Sequence, residues 1–274
     1  MEEKWIEKAS GERVKFEPEK LRDSLFKSGA NNELIDKILK CVHDEIDDVS
    51  TTKVIYQKAY KLLRASSKKL AGKYRLKNAI LDLGPSGYPF EQYLGHLFSF
   101  QHYKTQVGIT LDGKCVTHEV DIMAEGEDKT LLVECKHHGN PGYKSDVKIP
   151  LYIHSRFNDL VNAFRRKGDE RKFECWIATN TRFTQDAVDY ANCYGIRLLA
   201  WDYPSKGSLR ERIELAGMYP ITCLFSLTKN EKQKLLKDDI VLCRQLTGQP
   251  ELLNNYMNEK KQQRVLEECE SILS

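Results

Sequence analysis

The stretch that most constrains this chain runs from Val116 to His138, VTHEVDIMAEGEDKTLLVECKHH. Leu131, Leu132 and Val133 read as an interior strand, and that strand ends on Glu134, Cys135 and Lys136. Successive strand residues point to opposite faces, so Glu134 and Lys136 share one face while Val133 and Cys135 take the other. Placing Asp121 opposite Glu134 in antiparallel register pairs Glu125 with Thr130. Gly126, Glu127, Asp128 and Lys129 then form a polar hairpin connection. Charges that end an interior strand cost more than charges on an open surface. Two carboxylates a strand spacing apart offer hard oxygen ligands suited to Mg2+. A lysine beside them can orient or deprotonate a water, or offset charge on a reacting phosphate, and the set fits hydrolysis of a phosphodiester. The plainer reading, alternating charges on a solvated hairpin face, stays open on so short a pattern.

The surrounding chain has room for such a site. With 274 residues, 41% apolar and 30% charged, two or three globular domains are expected. The formal charge of +3 allows nucleic-acid binding only through a local basic face. The start, MEEKWIEKAS, lacks an apolar core and no run of about 18 apolar residues occurs, so neither secretion nor membrane spanning is expected, and the cytoplasm is the default. Eight cysteines are scattered without a CxxC pair or zinc-finger spacing, as buried hydrophobes in a reducing compartment would be. Trp5 to Lys8 and Val14 to Phe16 read as a small hairpin, followed by three helices, the first opening at Pro18. LDLGPSGYPF punctuates the chain as a domain boundary. Beyond it come a helix over Phe90 to Phe100, strands over Lys104 to Leu111, Val116 to Met123 and Thr130 to Lys136, and a helix over Leu151 to Phe164. Apolar strands at Lys172 to Thr179 and Ile196 to Trp201 flank a helix around Ala187 to Ala191, which implies parallel pairing in a sheet of mixed direction with helices on both sides. Residues 205–274 read as a small helical packing or dimerisation domain, lacking the glycine-rich turn of a helix-hairpin-helix module.

Asp121, twelve intervening residues, then Glu134-Cys135-Lys136 resembles the D…(D/E)xK signature of the PD-(D/E)xK nuclease superfamily, and residues 88–204 resemble its Mrr-like branch. TNTRFTQDAVDYA looks like a segment of that branch when it is joined to an ATP-cone. The resemblance implies that Asp121 and Glu134, with the Cys135 carbonyl, hold Mg2+ or Mn2+, that Lys136 positions the attacking water, and that Glu91 assists from the helix it opens. Arg156 and His137 are candidates for DNA phosphate contacts, a surface ion pair being the other reading of Arg156.

Residues 1–83, with KASGERVKFEPEKL at their head, resemble an ATP-cone, a small nucleotide-binding regulatory domain. By that resemblance Lys8, Phe16, Lys20 and Leu21 line a pocket for ATP or dATP. Ala9 and Ser10 stand where the family carries a second basic residue and an aspartate. The expected protein is thus an α/β multidomain chain: a helical ATP-cone with an N-terminal hairpin, a restriction-endonuclease-like mixed sheet flanked by helices, and a helical C-terminal region. Its expected activity is Mg2+-dependent endonuclease action on DNA, with ATP or dATP as a candidate effector; the sequence leaves the oligomeric state open, a homodimer being one way to supply the two sites that cutting both strands usually needs. The alternative is an inactive nuclease-fold module that binds DNA or senses nucleotide.

Overall fold

The structure, a computed structural model, describes residues 4–7, 11–47 and 50–274. The chain gathers into two compact units, one of Met1–Asn78, Cys223–Thr228 and Leu246–Ser274, the other of Ala79–Thr222 and Lys229–Gln245. Residues 205–274, expected as a third domain, are therefore divided between the two. The helical periodicity of that stretch reports which faces are apolar, not which partner covers them.

The first unit opens with β1 (Trp5–Glu7) and β2 (Arg13–Lys15), antiparallel with Trp5 opposite Lys15. Then follow α1 (Pro18–Lys27), α2 (Asn32–Glu45), α3 (Thr52–Ser66) and α4 (Lys68–Tyr74). Pro18 begins α1 where no amide partner is needed, and Asn31, Thr51 and Ser67 cap the next three helices by accepting the amides of Leu34, Val54 and Leu70. Leu25, Ile35, Val42, Ala59 and Leu63 are fully enclosed in one core. The short helix α5 (Leu76–Leu81) contains the division between the units, so the boundary lies ahead of the Gly/Pro stretch at which it was expected.

The second unit is built on a five-stranded sheet. After α6 (Tyr88–Phe100) come β3 (Lys104–Asp112), β4 (Thr117–Glu125), β5 (Lys129–Lys136) and the two-residue β6 (Lys144–Ser145). They are followed by α7 (Lys148–Arg166), β7 (Lys172–Thr179), β8 (Arg182–Phe183), α8 (Gln185–Tyr194), β9 (Arg197–Leu199) and α9 (Leu209–Ala216). The sheet order is β3-β4-β5-β7-β9, antiparallel through β5 and parallel from β5 onward, as the apolar blocks predict. β5 is the middle strand, and Thr130 to Cys135 are all buried. β6 and β8, too short to show a pattern, pair in parallel outside the main sheet. Asp159 on α7 fastens the β3–β4 turn, accepting the Cys115 amide at 3.0 Å and lying 2.9 Å from His118 Nε2.

Gly95 sets how closely α6 approaches β3, since a Cβ there would lie 2.7 Å from Val107 Cγ2. Alanine would gain about 1 kcal/mol of helix propensity but meets a β-branched side chain with little rotamer freedom. Gly95→Ala is expected to destabilise by about 1–2 kcal/mol in urea denaturation. Adding Val107→Ala should recover part of the Gly95→Ala loss; a double mutant no better than additive would remove this contact as the cause.

α10 (Lys229–Lys237) and α11 (Cys243–Gly248) follow α9, and the chain ends in α12 (Glu259–Leu273), within the first unit. α12 buries Val265, Cys269 and Ile272, with Ile272 set directly against Gly72 of α4. Among the described residues no helix is long and apolar enough to cross a membrane.

Candidate active site

The predicted hairpin register is the observed one. Glu125 faces Thr130 and Ile122 faces Val133, which sets Asp121 beside the end of β5. Gly126 N–H donates to the Lys129 carbonyl at 2.8 Å, so Lys129 already belongs to the strand and the connection is tighter than four free residues. The Asp121 carboxylate accepts the Cys135 amide through Oδ2 at 2.7 Å. Glu134, 8% exposed, accepts Lys136 Nζ on Oε1 at 2.5 Å and Arg156 on Oε2 at 2.9 Å. β5 is fixed at this end by β7. The Thr179 hydroxyl donates to the Lys136 carbonyl at 2.7 Å, and the Asn180 side chain accepts the His138 amide and donates to its carbonyl, both at 2.8 Å. Sequence reasoning singled out the Thr179–Thr181 stretch without a role. Its role is to lock the strand that carries Glu134 and Lys136.

The electrostatics of the cluster are lopsided. Burial, then the charge of Glu134, pushes Asp121 up to about 6, against the pull of the Cys135 amide, Lys136 and Arg156. Burial, then Asp121, Glu119 and Glu134, pushes Glu91, in the first turn of α6, up to about 7. Glu119 was not foreseen; it stands two residues before Asp121 on β4, a spacing that shares a face and could have signalled it. Lys136 keeps its proton: burial works against its charge, but Glu134 and Asp121 raise it above the ordinary lysine value. Burial, then the neighbouring carboxylates, pushes the Cys135 thiol well up, which disfavours its thiolate as a nucleophile.

The structure brings Glu91, Asp121, Glu134, Lys136 and Arg156 into one electrostatic neighbourhood. Arg156, for which a phosphate contact and an ion pair were both open, is paired to Glu134 and lies over the Tyr152 ring at 5.5 Å. His137 requires a correction. Its Nε2 lies 3.1 Å from the Ile80 carbonyl, its ring packs 5.5 Å from that of Phe90, and burial lowers its pKa, so it is a neutral packing residue and offers no cation to DNA. Among the described residues no three His, Cys, Asp or Glu side chains are gathered closely enough to ligate a metal as they stand. The donor chemistry nonetheless fits a hard divalent cation. Asp121 and Glu134 are oxygen donors, and the raised values at Asp121 and Glu91 mark a place short of positive charge. Glu134 has to release Lys136 or Arg156 to take part.

The residues expected to meet a nucleotide lie in the first unit. Phe16, Lys20 and Leu21 line a cleft of about 240 Å³ together with Ile55, Tyr56 and Tyr74. Phe16 and Leu21 are mostly buried, whereas Lys20 is exposed and paired with Glu17 at 2.6 Å. Lys8 lies outside the described residues.

A family model described as AF1548-like, C-terminal, matches residues 219–273. An uncharacterized protein of Archaeoglobus fulgidus is 31% identical over 183 residues, which make up 66% of this chain and 99% of that protein. The chain belongs to the AF1548-like family. A solved structure titled as that of AF1548, a protein of unknown function, is similar at a TM-score of 0.58 with 29% identity, over 69% of this chain and 98% of that one. The solved structure thus shares an architecture with this chain over about two thirds of its length, and neither relative carries a stated activity.

Proposed function

We propose that this AF1548-like chain is a metal-dependent deoxyribonuclease that hydrolyses DNA phosphodiester bonds at the C-terminal end of β5, beside β4. The reading rests on its resemblance to Mrr-like PD-(D/E)xK nucleases. The observation that carries it is a carboxylate pair, Asp121 and Glu134, held at the end of a central strand beside a protonated lysine. A divalent cation bound there would supply positive charge to a phosphate oxygen and lower the pKa of a bound water. Asp121, Glu134 and the Cys135 carbonyl are the groups to hold it. Lys136, kept cationic, donates to the attacking water or the reacting phosphate, and Glu91, half-neutral near pH 7, is suited to exchanging a proton with solvent. Arg156, once freed from Glu134, can turn its fork of donors to the scissile or neighbouring phosphate. The cleft of Phe16, Lys20 and Leu21 would bind ATP or dATP as an effector.

The test is a cleavage screen over plasmid, duplex, branched and single-stranded DNA with Mg2+, Mn2+ or EDTA, with and without adenine nucleotide. Wild-type protein should nick or cut with metal and not in EDTA, and Lys136→Ala should lose at least about a hundredfold in rate. Duplex binding in EDTA with no cutting in either metal would favour a non-catalytic DNA-binding module.

A further inference from the structure

A second site lies in the first unit, independent of the chemistry proposed for β4 and β5. Arg64 near the end of α3, Lys68 at the start of α4 and Arg264 on α12 line one recess of about 300 Å³, floored by Phe225 and Ser226. None of the three cations makes an ion pair or hydrogen bond with a described residue. Arg64 is held by stacking its guanidinium 4.9 Å above the Phe225 ring, which leaves its edge donors free. The Ser226 hydroxyl is closed off from bulk water and has no hydrogen-bond partner among the described residues, a donor kept dry beside the recess.

Two carboxylates, Glu267 and Glu268, line the same recess and offset part of its charge, leaving three cations against two anions. Glu268 spends both oxygens on the backbone, accepting the Phe225 amide at 2.7 Å and the Ser226 amide at 2.8 Å, and so fixes the floor. Glu267 accepts from Gln263 at 3.1 Å. Three like charges around one recess repel each other, and an anion with oxygens spread over several ångströms relieves that repulsion while reaching all three.

The geometry points to a binding site for a small polyphosphate-bearing ligand, a di- or triphosphate, in this recess. Three cations from separate helices match two or three phosphate groups, and a recess of this size is at the lower end of small-molecule sites. A nucleic-acid backbone, by contrast, engages cations laid along an open groove. The site is distinct from the cleft of Phe16, Lys20 and Leu21, with which it shares no lining residue.

Titrating the full chain with inorganic tripolyphosphate by calorimetry tests this directly. Wild type should bind, and Arg64→Gln, Lys68→Gln and Arg264→Gln should each weaken binding roughly three- to tenfold, with the triple variant losing at least about fiftyfold. The charge-keeping triple Arg64→Lys, Lys68→Arg, Arg264→Lys should stay within roughly fivefold of wild type, which separates lost charge from lost fold. Lys40→Ala, which removes an exposed cation of α2 that lines neither recess, should leave this binding unchanged. The proposal is overturned if wild type ignores tripolyphosphate at millimolar concentration, or if the triple Gln variant binds it as well as wild type. It is also overturned if the triple variant loses only affinity for a short single-stranded oligonucleotide.

Discussion

Asp121→Asn is expected to make the protein more stable at pH 8 while removing its metal-dependent DNA cleavage. The Asp121 carboxyl sits in a site where burial and Glu134 push it up to about 6, above the value of about 3.9 for an exposed aspartate. A carboxyl with a raised folded-state value favours folding in its protonated form. Its stabilising contribution is present in full below about pH 4 and is lost as pH rises through about 6. At pH 8 the ionised group therefore opposes folding by on the order of 2 kcal/mol. Asparagine keeps an acceptor for the Cys135 amide and removes the charge, so the gain should be largest at pH 8 and vanish near pH 4. The same change deletes a proposed metal ligand, and activity should fall by at least about a hundredfold. Thermal melts from pH 4 to 8 alongside plasmid cleavage read both arms. Lower stability at pH 8 would contradict the charge-crowded picture, and retained cleavage would remove Asp121 from the site.

Glu134→Ala should act in the opposite direction. Glu134 is the counter-charge for Lys136 and Arg156, whose side chains are 31% and 15% exposed, and its own side chain is 9% exposed. Removing it leaves two cations partly enclosed, with Asp121, already engaged by the Cys135 amide, as the remaining negative charge that acts on both. Breaking a buried pair typically costs about 3–5 kcal/mol, and the partial exposure here lowers the expectation to about 2–3 kcal/mol. Glu134→Gln, which keeps one acceptor, should cost less. Urea denaturation decides the matter: an unchanged midpoint for Glu134→Ala would mean that Lys136 and Arg156 turn freely to water and that the site is not held together by this carboxylate.

The opposite signs at two carboxylates of one motif could not be read from the sequence, though their placement could. Asp121, Glu134 and the Glu125–Thr130 pairing were legible because apolar residues alternate along β4, run continuously along β5, and flank a polar turn. The parallel strands beyond β5 were legible as apolar blocks separated by a helix. The last of them is shorter than its apolar run, because Ala200 and Tyr203 close a turn and the Trp201 amide goes to the Thr181 carbonyl. Arg156 was legible as a cation on the following helix but not as the partner of Glu134, since that contact depends on how α7 lies across the sheet. His137 failed for a related reason: adjacency to Lys136 says nothing of the Ile80 carbonyl that claims its ring. The division of 205–274 rests on contacts distant in the chain, such as Phe225 with Tyr60 and Ile272 with Gly72, which local periodicity does not report.

The central claim is that the end of β5 captures a divalent cation, and a crystal grown or soaked with Mn2+ and measured for anomalous scattering tests it most directly. The account predicts a peak roughly 2.0–2.2 Å from oxygens of Asp121 and Glu134, with Lys136 or Arg156 displaced from Glu134. Glu134 still clasped by both cations at millimolar Mn2+, with no peak beside Asp121, would contradict it.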